Sequence, residues 1–433
     1  MIRITQLVVL AIALYLTSKV ATVVGFDSNQ EWSQWRGPNR DGQVAGAAWP
    51  DRLTDNYLQQ TWRVSLAPSY SGPIVSAEAI FVTETKDKTT EIVRALSRAT
   101  GKELWKVEWP GAISVPFFAK RNGDWIRATP AFDGKSLYVA GMRDVLVSLD
   151  AKTGKENWRV DFTKEFSTAP PEFGLVCSPL LDGDFIYIQA GNAVVKLDKR
   201  NGKVLWRALN NEQASIMTNG AFSSPVIANV AGQKQLIVQT REQLAGLDPE
   251  TGKQLWIHNV PSFRGMNILT PVVFGDAIFT SSYQNKSWLY RISKGAAGFT
   301  VNQAWENNAQ GYMSTPVVID GHAYLHLGNQ RFTCINLQTG ERTWTSQPFG
   351  KYASLVAQRD RILALDERGV LLLIKANPKQ FELLSEKQVS EEETWAHLAI
   401  AGDELFIREL NAVTAWRWRT PKASGASAES ATH

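Results

Sequence analysis

The sequence predicts an all-β chain folded as an eight-bladed β-propeller of four-stranded antiparallel blades, the last completed by an N-terminal strand. Three observations predict it. A ten-residue phrase recurs five times, as LSRATGKELW ending at Trp105, LDAKTGKENW at Trp158, LDKRNGKVLW at Trp206, LDPETGKQLW at Trp256 and INLQTGERTW at Trp344. A Ser, Thr or Gly followed by proline opens a short apolar run at Pro73, Pro130, Pro179, Pro225, Pro271 and Pro316. Between these two signals lie alternating segments such as SLYVAG, FIYIQAG and AYLHLG. A unit recurring at roughly 40–55 residues marks an array of one supersecondary motif, and four short strands with tight turns describe a propeller blade.

Each strand of the unit has its own reason. Proline suits the start of the first strand, where its missing N–H breaks no ladder. Turns at Asp133-Gly134, Asp182-Gly183, Gly275-Asp276 and Asp320-Gly321 lead to the alternating second strand. The third strand ends in the TGK turn, whose glycine supplies a positive φ, and the tryptophan marks the fourth strand. Fourth strands are thus expected at Trp105, Trp158, Trp206, Trp256, Trp305 and Trp344, with a degenerate copy, FELLSEKQV, near Leu384. Blade five carries ISKGAAGFTVNQAW in place of the TGK phrase. The last unit, His397 to Trp418, has three strands. Its fourth is expected from Leu58 to Leu66, with Trp62 in the tryptophan position. Pairing the chain's first strand with its last three closes the ring and removes exposed sheet edges.

Outside the repeats, residues 1–25 read as an export signal: Arg3, an apolar LVVLAIALYL from Leu7 to Leu16, and small residues at Val23-Val24-Gly25. The apolar run is short for a membrane span and is broken by Thr17, Ser18 and Lys19, so no transmembrane span is expected after cleavage. Residues 26–52, with WSQWRGPNRDG, are expected to form an extension lying across the propeller surface. The propeller itself is placed at 53–420, and 421–433 reads as a disordered tail. Cys177 and Cys334 fall in different repeats and are expected to be buried free thiols. The charge is nearly balanced, formally +4, which argues against a nucleic-acid partner, whose binder normally carries a concentrated basic face. A monomer, exported to the periplasm or beyond the cell, is expected.

Loops from strand four to strand one, and from strand two to strand three, share one face; the TGK turns lie on the other. The first face rims the channel mouth, where concave sites form. Before the inner strands stand Tyr70, Arg127, Asn219, Arg264, Asn267, Tyr312, Lys351, Tyr352, Trp395 and His397. The other loops on that face add Arg143, Asn192, Arg241 and Arg331. Cations beside aromatics suit an anionic ligand, a carbohydrate or a peptide carboxylate; the same residues also suit an ordinary solvated rim. No catalytic residue is assigned. There is no G-x-S-x-G, H-E-x-x-H or phosphate loop, and Asp150, Asp198 and Asp248 recur as turn carboxylates. No metal site is expected either: His322 and His326 are too far apart along a strand to chelate one ion, and Glu391 to Glu393 read as a solvated charge run.

The phrase LDAKTGKENW with its proline-led first strand resembles the repeat of pyrroloquinoline-quinone-type propellers, in which the tryptophan of one blade docks against the next. The resemblance covers nearly the whole chain after residue 52. It implies one of two groups: quinoprotein alcohol dehydrogenases, which hold the quinone and calcium, or BamB-like non-catalytic scaffolds of outer-membrane assembly. This chain has no adjacent cysteine pair and no matching Glu–Asn–Asp calcium set, so neither cofactor is expected. It also lacks the lipidated cysteine of the BamB-like group. The reading is an exported, non-enzymatic binding or scaffold propeller of the cell envelope, engaging a protein or glycan at the channel mouth. The alternatives are a quinone-dependent dehydrogenase and a carbohydrate-binding propeller.

Overall fold

The computed structural model describes residues 30–419 except 118, 119, 121, 122, 213 and 215–217. The expected export signal and tail lie outside the described residues. Among the described residues, thirty-two strands form eight four-stranded antiparallel sheets. Blades 1 to 7 run through residues 74–110, 131–161, 180–208, 226–259, 272–307, 317–345 and 353–388. Blade 8 takes three strands from residues 399–418 and its fourth from Leu58–Ser65. That strand pairs antiparallel with Ala412–Trp418, Leu58 opposite Trp418 and Ser65 opposite Ala412.

Packing explains why the middle strands are apolar on both faces. Blades stack side by side, so Phe81 and Val93 of blade 1 share one core cluster with Leu137 and Val147 of blade 2. The fourth strands alternate instead, as in Glu103–Pro110, because their outer face meets water. One irregularity recurs. The residue just before each tryptophan is the extra residue of a bulge: Ala95 pairs with Trp105 but Leu96 with Glu103, and Ser148 with Trp158 but Leu149 with Glu156. A bulge re-aims the side chain beside it. Blade 7 keeps the bulge at Leu384, with Ser385 where the tryptophan would stand.

The re-aimed indoles reach the next blade. Trp105 donates to Ala151 O at 2.9 Å, Trp158 to Lys199 O at 3.0 Å, Trp305 to Leu337 O at 2.8 Å and Trp62 to Arg98 O at 3.0 Å. The turn glycine there lies flat under the ring. Gly154 has φ 74°, and a Cβ on it would come within 2.6 Å of the Trp105 ring. Trp256, which faces the altered turn of blade five, is the exception; Trp344 still donates to Asn377 O of blade 7 at 2.7 Å although that blade has no TGK turn either. The Trp256 indole donates instead to Gln235 Oε1 of its own blade at 2.6 Å.

Residues 30–52 do not lie across the outer surface. They enter the central channel and close it. Trp32 exchanges two backbone hydrogen bonds with Val75 of blade 1, and Phe132 N of blade 2 donates to Ser33 O at 2.8 Å. Arg40 donates to Pro179 O of blade 3 at 2.8 Å and Arg36 to Pro316 O at the entry to blade 6. Ala357 N of blade 7 donates to Gly42 O at 2.7 Å. Blades 3 and 7 face each other across an eight-membered ring, so the segment spans the channel. Its groups satisfy inner-strand amides and carbonyls that have no ladder partner on the channel side.

Candidate functional site

The Ser/Thr–Pro pairs build a belt around the mouth. The residue before each proline is held extended, and its hydroxyl accepts the amide of the equivalent residue one blade earlier. Gly72 N donates to Thr129 Oγ1 at 3.1 Å, Thr129 N to Ser178 Oγ at 3.0 Å, and Ser178 N to Ser224 Oγ at 3.0 Å. The series continues from Ser224 N to Thr270 Oγ1 at 3.0 Å and from Thr270 N to Thr315 Oγ1 at 3.2 Å. Blade 1 carries glycine because it abuts the closing blade: a Cβ on Gly72 would lie 2.6 Å from His397 O.

Above this belt is a cavity of about 200 Å³. Its walls are Tyr70, Arg127, Phe222, Met313, Tyr352, Trp395 and His397, and Trp35 of the channel segment forms part of the lining. Trp395 stacks on Tyr352 at 5.6 Å and 20°, and tilts against Tyr70 at 6.1 Å. The Arg127 guanidinium lies 5.9 Å from the Tyr70 ring centroid and donates to Gly123 O at 2.7 Å. Trp35 has Arg36 at 5.7 Å and Arg40 at 5.5 Å from its ring, with His397 edge-on at 6.0 Å.

The electrostatics are one-signed. Burial lowers Arg36, Arg40 and Arg127 to about 10, which leaves all three charged at neutral pH. Burial, and then the nearby Arg36, push His397 down to about 3, so its imidazole is neutral. No lining residue is a carboxylate.

Five residues picked out from sequence therefore meet here: Tyr70, Arg127, Tyr352, Trp395 and His397. The others lie elsewhere on the mouth face. Arg241 is buried, donating to Asn219 O at 3.1 Å and Arg264 O at 3.2 Å, and Asn267 donates to Arg241 O at 3.1 Å. These groups hold loops together. Asn192 accepts from Gly220 N at 3.1 Å and lines a separate cleft of about 360 Å³ between blades 3 and 4. Arg143, Arg264 and Lys351 are exposed. Tyr312 packs on Tyr283 at 4.5 Å, and Arg331 donates to Ser346 O at 2.7 Å. Sequence reasoning missed Trp35, Phe222 and the belt hydroxyls. The Ser/Thr before each proline was the available signal for the belt.

A quinone–calcium pair does not fit these residues. Calcium takes six to eight oxygens, usually several from carboxylates, and the mouth lining supplies none. Cys177 and Cys334 are buried free thiols in different blades, which leaves no vicinal pair. Among the described residues, no three His, Cys, Asp or Glu side chains gather to hold a metal ion.

One acid on this face gives a pH signature. Asp144, in a loop of blade 2, is raised from 3.8 to about 7 by burial, against the opposing hydrogen bond from Gly191 N and with help from Asp161. Between those values the native chain keeps a proton that the unfolded chain releases, so stability falls as pH rises through this window. The span corresponds to at most about 4 kcal/mol. Glu91, also raised by burial, acts in the same direction. His397, lowered by burial, contributes the opposite slope below about pH 6.5 in both proteins. The Asp144 effect is therefore read as a difference: the melting temperature of Asp144→Asn relative to the unsubstituted protein is expected to rise from pH 4.5 to 8. Identical slopes in the two proteins would contradict this.

Residues 89–346 match the family model described as outer membrane protein assembly factor BamB. The relative of that name from Yersinia pestis is 24% identical over 265 residues, which span 57% of this chain and 63% of the relative. Its counterpart from Moranella endobia is 26% identical over 290 residues, spanning 60% and 70%. BamB from Moraxella catarrhalis superposes with a TM-score of 0.59 at 15% identity, covering 84% of this chain and 98% of that one. Quinohemoprotein alcohol dehydrogenase from Comamonas testosteroni gives a TM-score of 0.60 at 12% identity, covering 92% and 82%. At such identities these two structures speak for the fold alone, and they do so equally for a scaffold and an oxidoreductase. The family match runs from blade 1 through blade 6, more than half of the sequence, and on it this propeller belongs to the BamB family.

Proposed function

We propose that this chain is an exported, non-catalytic scaffold of the cell envelope, acting in the assembly of outer-membrane proteins and holding a partner protein on its mouth face. The observation that carries the reading is the aromatic cluster of Tyr70, Tyr352 and Trp395 at a channel closed from below by the chain's own segment. A closed channel leaves a shallow receptor for protruding side chains. Aromatics with arginine are the residue types that dominate protein interfaces energetically. Family membership supports the same reading, and among the described residues no helix is long and apolar enough to cross a membrane.

Photo-crosslinking in intact cells tests it. A crosslinking amino acid at Tyr312 or Lys351, on the mouth face, is expected to give a discrete protein adduct. At Lys155 or Lys253, on the TGK face, it is expected to give none. Adducts from the TGK face alone would overturn the reading. So would saturable quinone binding with calcium-dependent dye reduction by alcohols or sugars.

A further inference from the structure

The mouth cavity has a chemical polarity that narrows its ligand; the inference rests on the mouth being a binding face. In the belt, each hydroxyl oxygen accepts an amide N–H from the preceding blade. A hydroxyl used in this way still has its own hydrogen to donate. Thr129, Ser178, Thr270 and Thr315 donate to no protein acceptor among the described residues, and all four line the cavity. Ser224 differs, because it hydrogen-bonds the Cys177 thiol.

Acceptors are scarce in the same place. Carbonyls beside the belt are already taken, Ser178 O and Pro179 O by Arg40 and Pro316 O by Arg36. Arg127 directs Nε and Nη2 to Trp125 O and Gly123 O, which leaves Nη1 without a protein partner. The carboxylates near the rim are engaged. Asp124 accepts from Val115 N at 2.8 Å with Lys88 at 3.7 Å, and Glu393 accepts from the Trp395 indole at 2.9 Å.

We propose that this cavity binds a carboxylate carried on a small aromatic or apolar body. Two carboxylate oxygens offer about four lone-pair sites to a ring of donors, and the Arg127 charge strengthens the bonds it makes. Tyr70, Tyr352, Phe222 and Trp395 receive the body through their ring faces. The volume of about 200 Å³ falls below the usual 300–1,000 Å³ of small-molecule sites, so one residue-sized group fills it. Such a group comes either as a free organic acid or as the C-terminal residue of a protein chain.

Calorimetry on the full chain at neutral pH tests this with benzoate against benzamide, and with a peptide ending in a free aromatic residue against its C-terminal amide. The acid of at least one pair is expected to bind with one-to-one stoichiometry, its amide at least tenfold more weakly. Binding by benzoate alone identifies a free acid as the source; binding by the peptide alone identifies a chain end. Arg127→Gln, its fold verified by melting, is expected to weaken the acid about tenfold and leave the amide unchanged. Equal affinity for acid and amide, or no binding by either acid at millimolar concentration, would overturn the proposal. A crosslinked partner whose capture ignores both Arg127→Gln and excess benzoate would overturn that partner's chain end as the source of the carboxylate, while leaving the scaffold reading intact.

Discussion

A chain that starts at residue 67 is expected to lose its cooperative melting transition and to self-associate, whereas the full chain is expected to melt cooperatively as a monomer. The truncation removes the strand Leu58–Ser65, with seven paired positions along Ala412–Trp418. It also removes the Trp62 bond to Arg98 O, its packing on Phe406 at 6.1 Å, and the Arg63 bridges to Glu392 and Glu409, each at 2.8 Å. Burial of Leu58, Trp62 and Val64 alone is worth about 5–8 kcal/mol, against a total of about 5–15 kcal/mol for a typical domain. What remains is an open ring whose terminal strand presents free backbone groups to other copies. Thermal melting and sedimentation velocity read the two effects. A monomer with an unchanged melting curve would refute ring closure by this strand.

Starting the chain at residue 53 is expected to have a different and smaller effect. Ring closure survives, but Trp32, Trp49 and Val44 lose their burial, worth about 5 kcal/mol together. The inner-strand amides that met the segment turn to water instead, so they add little. Arg36 and Arg40 leave a site where burial opposed their charge, which offsets part of the loss. The melting temperature is expected to fall by about 5–10 °C, with the chain still monomeric. Trp35 leaves the mouth lining, so carboxylate binding weakens as well. Unchanged stability would show that the segment contributes nothing to the ring.

The blades were legible because their signals are local. A turn glycine, a tryptophan four residues later and a proline-led strand all act within one blade, and the repeat multiplies a weak pattern into a strong one. Even the odd turn of blade five was visible, and it is the turn that Trp256 faces without donating to it. The channel segment was not legible, because its partners are remote in sequence. Arg40 meets Pro179 across 139 residues and Trp49 meets Gln358 across 309. Nothing near WRGPNRDG announces those carbonyls. The site was half visible for the same reason: loop residues such as Tyr70 and Trp395 follow from the blade count. Trp35 reaches the mouth only through long-range contacts.

The channel segment also bears on the order in which the chain becomes a protein. Residues 30–65 emerge before every blade they meet, yet they need Val75, Pro179, Pro316, Ala357 and Trp418 before they have a place. Every blade must exist before the beginning of the chain can settle. Until then the chain is a growing arc with two uncovered blade faces, and contacts of such long sequence separation form slowly. The same residues that plug the finished ring are therefore a record of its completion.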